Sequence, residues 1–174
     1  MKRSRFLIVP IILAVAFSAS AFAEEESTVT ISSEKSASIV KNCNSIRLNL
    51  KNLQRNDARA RTYFGAIYES FASKYLKPLN LRLINNDLDS PELTKLQTSF
   101  ALARTKFSDD YIDYSKSLEE LISINCALEP EDFYQKLTKT REKRAAVAKD
   151  IKVLNDYLID SVKKTEALKK GLNK

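Results

Sequence analysis

Apolar residues recur at steps of three and four along three long segments of this chain. Heptad spacing of this kind keeps one face of an α-helix apolar. The first segment covers residues 36–85, and the Asn85-Asn86-Asp87 cluster is expected to end it. Its seam residues are Cys43, Ile46, Leu50, Leu53, Ala60, Phe64, Ile67 and Phe71. The first segment therefore predicts one long helix.

Pro78 interrupts the first predicted helix. It has no amide hydrogen, and in a regular helix its ring clashes with the carbonyl of Lys74. Leucines beyond the proline nevertheless continue the apolar face. We therefore expect a bend near residues 74–78 and not a break in the helix.

Two further segments open with helix start signals. Ser90-Pro91-Glu92 supplies a capping hydroxyl, a proline suited to the first turn and an acid near the positive helix end. The sequence Glu129-Pro130-Glu131-Asp132 is similar. Apolar seams follow both signals and predict helices over residues 91–125 and 130–171, with Gly171 as a C-terminal cap.

Short turns join the three predicted helices, so consecutive helices should run antiparallel. Basic residues outnumber acids by 9 to 2 in residues 36–85 and by 12 to 7 in residues 130–174, whereas acids outnumber bases by 9 to 4 in residues 86–129. An acidic helix between two basic ones favours this pairing. We predict an all-α fold: an elongated up-down-up three-helix bundle with coiled-coil-like packing, forming one domain over residues 36–174.

Residues 1–23 have the organisation of a secretory signal peptide. A basic start precedes an apolar run from Phe6 to Phe17, and Ala21-Phe22-Ala23 offers the small residues that signal peptidase requires. We predict cleavage after Ala23 and export to the periplasm or the exterior through a bacterial-type signal. An uncleaved anchor is the alternative, but the apolar run is shorter than the roughly 20 residues that span a bilayer.

Residues 24–35 are polar and rich in Ser and Thr, which predicts a flexible tether. Without the three basic residues of the signal, the formal net charge falls from +7 to +4. This charge is weak for a polyanion-binding protein, and export argues further against nucleic acid. We expect no stable membrane insertion after cleavage.

Cys43 and Cys126 are the two cysteines of the sequence. Counted along the helices from the first turn, they lie at similar heights in an antiparallel hairpin. An exported chain with such a pair most simply forms one disulfide bond. Two buried thiols are the alternative, if the compartment lacks an oxidising system.

Charged residues occupy three positions of the apolar seams, Asp57, Asp110 and Arg144. All three fall at about the same height in the predicted bundle. Arg61 and Arg141 lie one turn from Asp57 and Arg144 and could join them. One interpretation is a buried ion network that sets the register of the helices. The other is a pocket for an anionic ligand between the arginines.

Tyr63, Tyr68 and Tyr75 lie beside the first apolar seam. Tyrosine combines an apolar ring with a polar tip, and this favours protein interfaces. These three residues are therefore the predicted interaction surface.

The composition argues against several classes of function. The sequence has no histidine, so Ser-His and Cys-His catalytic pairs cannot form, and its two glycines leave no phosphate-binding loop. Carboxylate metal sites in helical bundles usually include histidine. We expect no enzyme, no cofactor and no metal site. The sequence instead predicts a non-enzymatic envelope protein that acts as a spacer or as a docking module for an unidentified protein partner, and it is compatible with a homo-oligomer.

One short motif suggests an alternative function. Leu93-Thr94-Lys95-Leu96-Gln97 resembles the Leu-Thr-x-x-Gln signature of the Spy family of periplasmic chaperones. A related stretch, residues 137–141, has Arg141 where the glutamine belongs. The resemblance implies a periplasmic holdase with an exposed apolar surface, but it covers five positions and assigns no family.

Overall fold

The structure is a computed structural model, and it describes residues 31–88 and 90–172. All regular secondary structure within these ranges is helical, which confirms the predicted all-α class. The predicted signal peptide and most of the predicted tether lie outside the described residues. The helices are α1 Ser33–Ser70, α2 Lys77–Asn85, α3 Pro91–Ser123 and α4 Pro130–Leu172, and a π-helical segment, Phe71–Leu76, joins α1 to α2. Three long helical stretches therefore form the bundle.

Helix α1 begins earlier than the sequence pattern indicated. The Ser32 hydroxyl accepts a hydrogen bond from the amide of Lys35 at 3.3 Å and caps the helix. Residues 33–35, assigned above to the flexible tether, are therefore helical. The extra turn forms because Ser32 satisfies an amide that would otherwise lack a partner.

The first helix passes through Pro78 without a break. In the π-helical segment the amide of Lys77 donates to the carbonyl of Ala72, five residues earlier. This wider turn gives the proline ring the room that a regular α-helix denies it. It also inserts one residue into the apolar pattern. The two most deeply buried residues of this region, Tyr68 and Leu76, are thus eight positions apart, where a heptad repeat requires seven.

The turn after α2 reverses the chain by backbone hydrogen bonds. The amide of Leu88 donates to Leu83 at 2.9 Å, and the amide of Asp87 donates to Ile84 at 3.1 Å. Asp87 has a φ of 56°, as expected for the left-handed residue of this C-terminal capping motif. Ser90 does not use its hydroxyl as a cap; its carbonyl instead accepts from the amide of Leu93 at 3.0 Å.

Contacts between the helices follow a regular order. Residues further along α1 and α2 contact residues that come progressively earlier in the sequence of α3. On α4 the contacted residues come progressively later. On α3 the pairs are Tyr68 with Phe107, Phe71 with Phe100, and Asn80 with Leu93. On α4 they are Asp57 with Arg144, Tyr68 with Asn155, and Tyr75 with Thr165. The core therefore runs along the whole bundle between its three walls.

Large side chains fill this core. The large aromatic and leucine side chains that are almost completely buried are Tyr68, Tyr114, Phe100, Phe133, Leu76, Leu93, Leu118, Leu121 and Leu154. Tyr68 contacts Phe100 and Phe107 edge-to-face, at ring centroid distances of 6.2 and 5.9 Å. Across the part of the chain that the structure covers, no helix combines the length and the apolar character needed to span a bilayer.

Candidate functional site

The cysteine pair ties one turn of the bundle to its first helix. Cys43 lies on α1, and Cys126 lies in the turn between α3 and α4. The two form a disulfide bond with a Cα–Cα distance of 5.6 Å, and both are buried. This is the pairing that their matching heights predicted. It closes one end of the bundle and leaves the end beyond the π-helical segment free of covalent links among the described residues.

Asp57 connects all three walls of the bundle. The Arg144 side chain on α4 donates from Nε to Oδ2 of Asp57 at 2.7 Å and from Nη2 to Oδ1 at 3.0 Å. The Tyr114 hydroxyl on α3 donates to Oδ2 at 2.6 Å. Asp57 is 18% exposed at its side chain, whereas Arg144 is 51% exposed. We call Asp57, Tyr114 and Arg144 the Asp57 cluster.

The contacts of the Asp57 cluster shift its titrations. Burial alone would raise the pKa of Asp57, but the hydrogen bonds from Arg144 and Tyr114 and the guanidinium charge outweigh it and lower that pKa. Burial, together with the bond to Asp57, raises the pKa of Tyr114. The hydrogen bond to Asp57 also raises the pKa of Arg144. The cluster therefore keeps one carboxylate and one guanidinium charged at neutral pH.

Asp110 does not join the Asp57 cluster, contrary to the predicted polar layer. Tyr114, one turn further along α3, takes the position that faces Asp57. Asp110 instead accepts from Lys106 Nζ at 2.6 Å, and the same ammonium contacts the two carboxylate oxygens of Asp150 at 3.0 and 3.2 Å. Lys106, Asp110 and Asp150 form a second group, the Lys106 cluster, which links α3 to α4.

The two acids of the Lys106 cluster titrate in opposite directions. Burial raises the pKa of Asp150, which is 6% exposed at its side chain, and the neighbouring Asp110 adds to the rise. The hydrogen bond from Lys106 lowers the pKa of Asp110, which is more exposed. Of the two carboxyl groups, Asp150 is therefore the first to take up a proton as the pH falls.

Only two of the three predicted arginines come together. Arg61 lies over the ring of Tyr111, with its guanidinium carbon 5.6 Å from the ring centroid. Arg61 and Arg144 both line the same cleft. Arg141 does not line it: it lies on the exposed surface and acts electrostatically on Tyr134. Arg141 lies seven residues, about two helical turns, after Tyr134, so it shares a face of α4 with that residue.

The cleft opens between α1, α3 and α4 next to the Asp57 cluster. Its volume is about 200 Å³. Polar groups lie at its mouth and apolar side chains lie deeper. Its lining residues are Asp57, Ala60, Arg61, Phe107, Tyr111, Tyr114, Arg144, Val147, Ala148 and Ile151. Asp57, the one carboxylate of the lining, accepts three hydrogen bonds and is paired with Arg144.

The three predicted surface tyrosines have different environments. Tyr63 is exposed, as expected. The prediction that Tyr68 lies on the surface is wrong. The residue is 1% exposed, and its hydroxyl donates to Asn155 Oδ1 at 3.2 Å. Its ring fills the core because the apolar face drifts around a long helix, so that residue 68 faces inward. Tyr75 is half-buried and donates to Thr165 Oγ1 at 2.9 Å.

A second concave surface lies between the π-helical segment and α4. This open groove has a volume of about 610 Å³ and is mostly apolar. We call it the apolar groove; its lining residues are Ile67, Ser70, Phe71, Lys74, Tyr75, Leu158, Ile159 and Val162. Among the predicted surface residues, only Tyr75 belongs to it.

The chaperone-like motif has structural contacts of its own. Leu93 and Leu96 are buried in the core. Gln97 accepts a hydrogen bond from Asn80 Nδ2 at 2.5 Å, and Asn80 also donates to the carbonyl of Leu93 at 3.3 Å. These contacts join α2 to α3 next to the turn. The leucine and glutamine spacing is thus accounted for by packing.

Sequence patterns missed Tyr114, Lys106 and Asp150 as members of the polar clusters. Tyr114 lies one turn from Asp110 on α3, and nothing in the spacing says which of the two faces Asp57. In the described part of the chain, no group of three or more acidic, cysteine or histidine side chains could hold a metal ion.

No protein-family model, curated protein or solved structure matches this chain.

Proposed function

We propose that this protein is a non-enzymatic, exported docking module whose helical bundle presents the apolar groove to an amphipathic helix of a partner protein. The observation that carries this proposal is the groove itself. Ile159 and Val162 are 55% and 50% exposed although they belong to a continuous apolar surface. Contiguous exposed apolar surface on a folded protein commonly marks a binding site, whereas single exposed residues do not.

The local backbone supports a role for this region. Phe71 and Tyr75 both lie on the π-helical segment, and their rings stack at a centroid distance of 5.3 Å. Short π-helical segments are rare and occur frequently at functional sites. The hydroxyl of Tyr75 is held by Thr165 on α4, so the aromatic wall is fixed before any partner arrives. A preformed wall lowers the entropic cost of binding.

The dimensions of the groove suit a helix. Its first wall, from Ile67 to Tyr75, is about 12 Å long at 1.5 Å per residue. That length accommodates two turns of an amphipathic helix, which would insert side chains at positions i, i+3 or i+4, and i+7.

The charges around the groove favour an acidic partner. Lys74 lines the groove, and Lys163 follows Val162 on α4. Among the described residues, neither lysine has a carboxylate within ion-pair distance. Unpaired lysines beside an apolar groove steer and orient a helix that carries acidic residues on its flanks.

The remaining parts of the proposal have separate support. A structural disulfide is typical of proteins in oxidising compartments and fits export of the chain after removal of residues 1–23. The order of the inter-helix contacts supports an up-down-up arrangement. Helix α4 alone has 43 residues, or about 65 Å, so such a rod would also hold the groove away from the opposite end of the bundle.

A designed peptide tests the groove directly. The probe is a fluorescent amphipathic helix of about 18 residues with leucines at heptad spacing and glutamates elsewhere, and binding is followed by anisotropy. We expect micromolar binding that Ile159→Asp weakens by about tenfold or more, since a charge would be buried in the contact. The matched control, Ile112→Asp, changes an equally exposed isoleucine of α3 that lies outside the groove. Equal weakening by both variants would contradict the proposal.

A photo-crosslinking residue at position 162, with position 112 as the control, tests the groove with native partners. We expect a defined adduct in the native host at position 162 only. An adduct with a second copy of the chain would instead assign the groove to self-association. The holdase alternative predicts that near-equimolar protein suppresses the aggregation of an unfolded client, and a docking module should not do this.

A further inference from the structure

The cleft beside the Asp57 cluster combines apolar and charged side chains, unlike the mostly apolar groove. Its deep wall consists of apolar side chains, of which Phe107 and Val147 are buried and Ile151 is half-buried. Its mouth carries Arg61 and Arg144. A small concave site with an apolar interior and a few polar groups at one side is the usual form of a small-molecule site.

The charges at the mouth do not cancel. Asp57 already accepts three hydrogen bonds and is neutralised by Arg144. Arg61 contacts the ring of Tyr111, but no carboxylate of the described residues lies within ion-pair distance of it. The mouth thus retains one positive charge. Arg144 also keeps Nη1 free of Asp57, because only its Nε and Nη2 are used.

This pattern selects an anion. A cationic ligand would meet Arg61 at the mouth, and the charge of Asp57 is already balanced by Arg144. A carboxylate, in contrast, could accept hydrogen bonds from Arg61 and from the free Nη1 of Arg144. Paired guanidinium donors are well suited to a planar carboxylate.

The size of the cleft limits the rest of the ligand. Its volume of about 200 Å³ is below the range of drug-sized sites, which begins at about 300 Å³. A cavity of about 150 Å³ is large enough for benzene. Phe107, Tyr111 and Tyr114 all contribute rings to the lining, and aromatic rings prefer edge-to-face or offset partners. One ring with a short side chain fits both constraints.

We infer that the cleft between α1, α3 and α4 binds a small aromatic monocarboxylate, with the ring on Phe107, Val147 and Ile151 and the carboxylate on Arg61 and the outer edge of Arg144. The inference is independent of the partner groove, since the two sites share no lining residue.

Three probes separate the carboxylate from the ring. Phenylacetate, the neutral phenylacetamide and the cationic phenethylamine are titrated into the full-length disulfide-bonded protein, and amide chemical shifts are followed by NMR. We expect phenylacetate to bind with a dissociation constant below about 1 mM and to shift residues along the cleft. The amide should bind at least tenfold more weakly, and the amine should not bind.

Two variants locate the site. Arg61→Gln removes an exposed charge at the mouth and should weaken phenylacetate binding by at least tenfold without changing the melting temperature. Arg59→Gln is the matched control: it makes the same change of net charge on α1, outside the cleft, and should bind as the wild type does. Ala148→Leu narrows the cleft from its exposed edge and should also abolish binding.

Each contrary result overturns the inference. Absence of binding at 10 mM phenylacetate, roughly ten times the upper limit expected for the dissociation constant, would mean that the cleft is no ligand site. Equal affinity for phenylacetate and phenylacetamide would show that the arginines do not recognise the carboxylate. Equal effects of Arg61→Gln and Arg59→Gln would assign any binding to net charge and not to the cleft.

Discussion

The Asp57 cluster and the Lys106 cluster lie close together along the same bundle, yet the pKa values of their buried aspartates are shifted in opposite directions. Both contain a largely buried aspartate with a cationic partner from another helix. In the first, a bidentate arginine and a tyrosine hydroxyl lower the pKa of Asp57. In the second, a lysine that is itself well exposed does not compensate for the burial of Asp150, and the pKa of that carboxyl is raised.

The difference shows what a buried carboxylate requires. Asp57 receives three directed hydrogen bonds, and one partner is a planar guanidinium that is always charged. Asp150 shares a single ammonium with Asp110, so two negative groups compete for one positive charge. The number and direction of the donors, more than the presence of an opposite charge, decide whether burial is compensated.

Breaking the disulfide should lower the stability of the protein more than any other change, because the bond ties α1 to the turn between α3 and α4. The bond closes a sequence separation of 83 residues. Its removal should lower the free energy of unfolding by roughly 2–4 kcal/mol, since the unfolded chain gains entropy. Denaturant unfolding of Cys43→Ala/Cys126→Ala against the oxidised wild type measures this difference. If stability were unchanged, the bond would not be a structural tie.

Removing the arginine of the Asp57 cluster should have the next largest effect. Arg144→Leu leaves Asp57 with Tyr114 as its remaining partner and should cost about 2 kcal/mol of unfolding free energy. The control is Lys152→Leu, because the exposed pair of Lys152 and Asp156 lies within α4 and should contribute less than about 0.5 kcal/mol. Similar losses in the two variants would remove the distinction between the Asp57 cluster and a surface ion pair.

The two buried aspartates should change the pH dependence of stability in opposite directions. Because the folded pKa of Asp57 is lowered, its contribution to stability is present above the unfolded pKa of about 3.9 and is lost as the pH falls through the lower folded value. In Asp57→Asn, the loss of stability between about pH 5 and pH 3 should therefore be smaller than in the wild type by about 1 kcal/mol. Denaturant unfolding at a series of pH values measures it, with Asp113→Asn, an exposed acid of α3, as the control.

Asp150→Asn should change the free energy of unfolding least, and any change at pH 7 should be an increase. The folded pKa of Asp150 is raised, so the folded state holds its proton more tightly, and stability falls as the pH rises from the unfolded pKa through the folded value. Replacing the carboxyl by an amide removes this loss. At pH 7 the variant should be as stable as the wild type, or up to about 1 kcal/mol more stable. A large destabilisation at pH 7 would show that the Lys106 cluster behaves like the Asp57 cluster.

Local sequence signals predicted the elements of the fold well. The apolar heptads and the Ser-Pro-Glu and Pro-Glu-Asp starts indicated helices close to those observed at Pro91–Ser123 and Pro130–Leu172. The heights of Cys43 and Cys126 indicated their pairing, and the same argument placed Asp57 opposite Arg144. Each of these predictions depends on distance along a helix, which the sequence determines at 1.5 Å per residue.

Rotation about the helix axis was decided only in the tertiary structure. An α-helix has 3.6 residues per turn and not 3.5, and the π-helical segment inserts one more residue, so the facing position drifts along a long helix. Tyr68 turns into the core on the first helix, and the rotations of α3 and α4 set Tyr114 instead of Asp110 against Asp57 and leave Arg141 outside the cleft. The sequence by itself thus determined which residues share a height in the bundle. Packing decided which of them touch, and with that it formed the cleft and the groove.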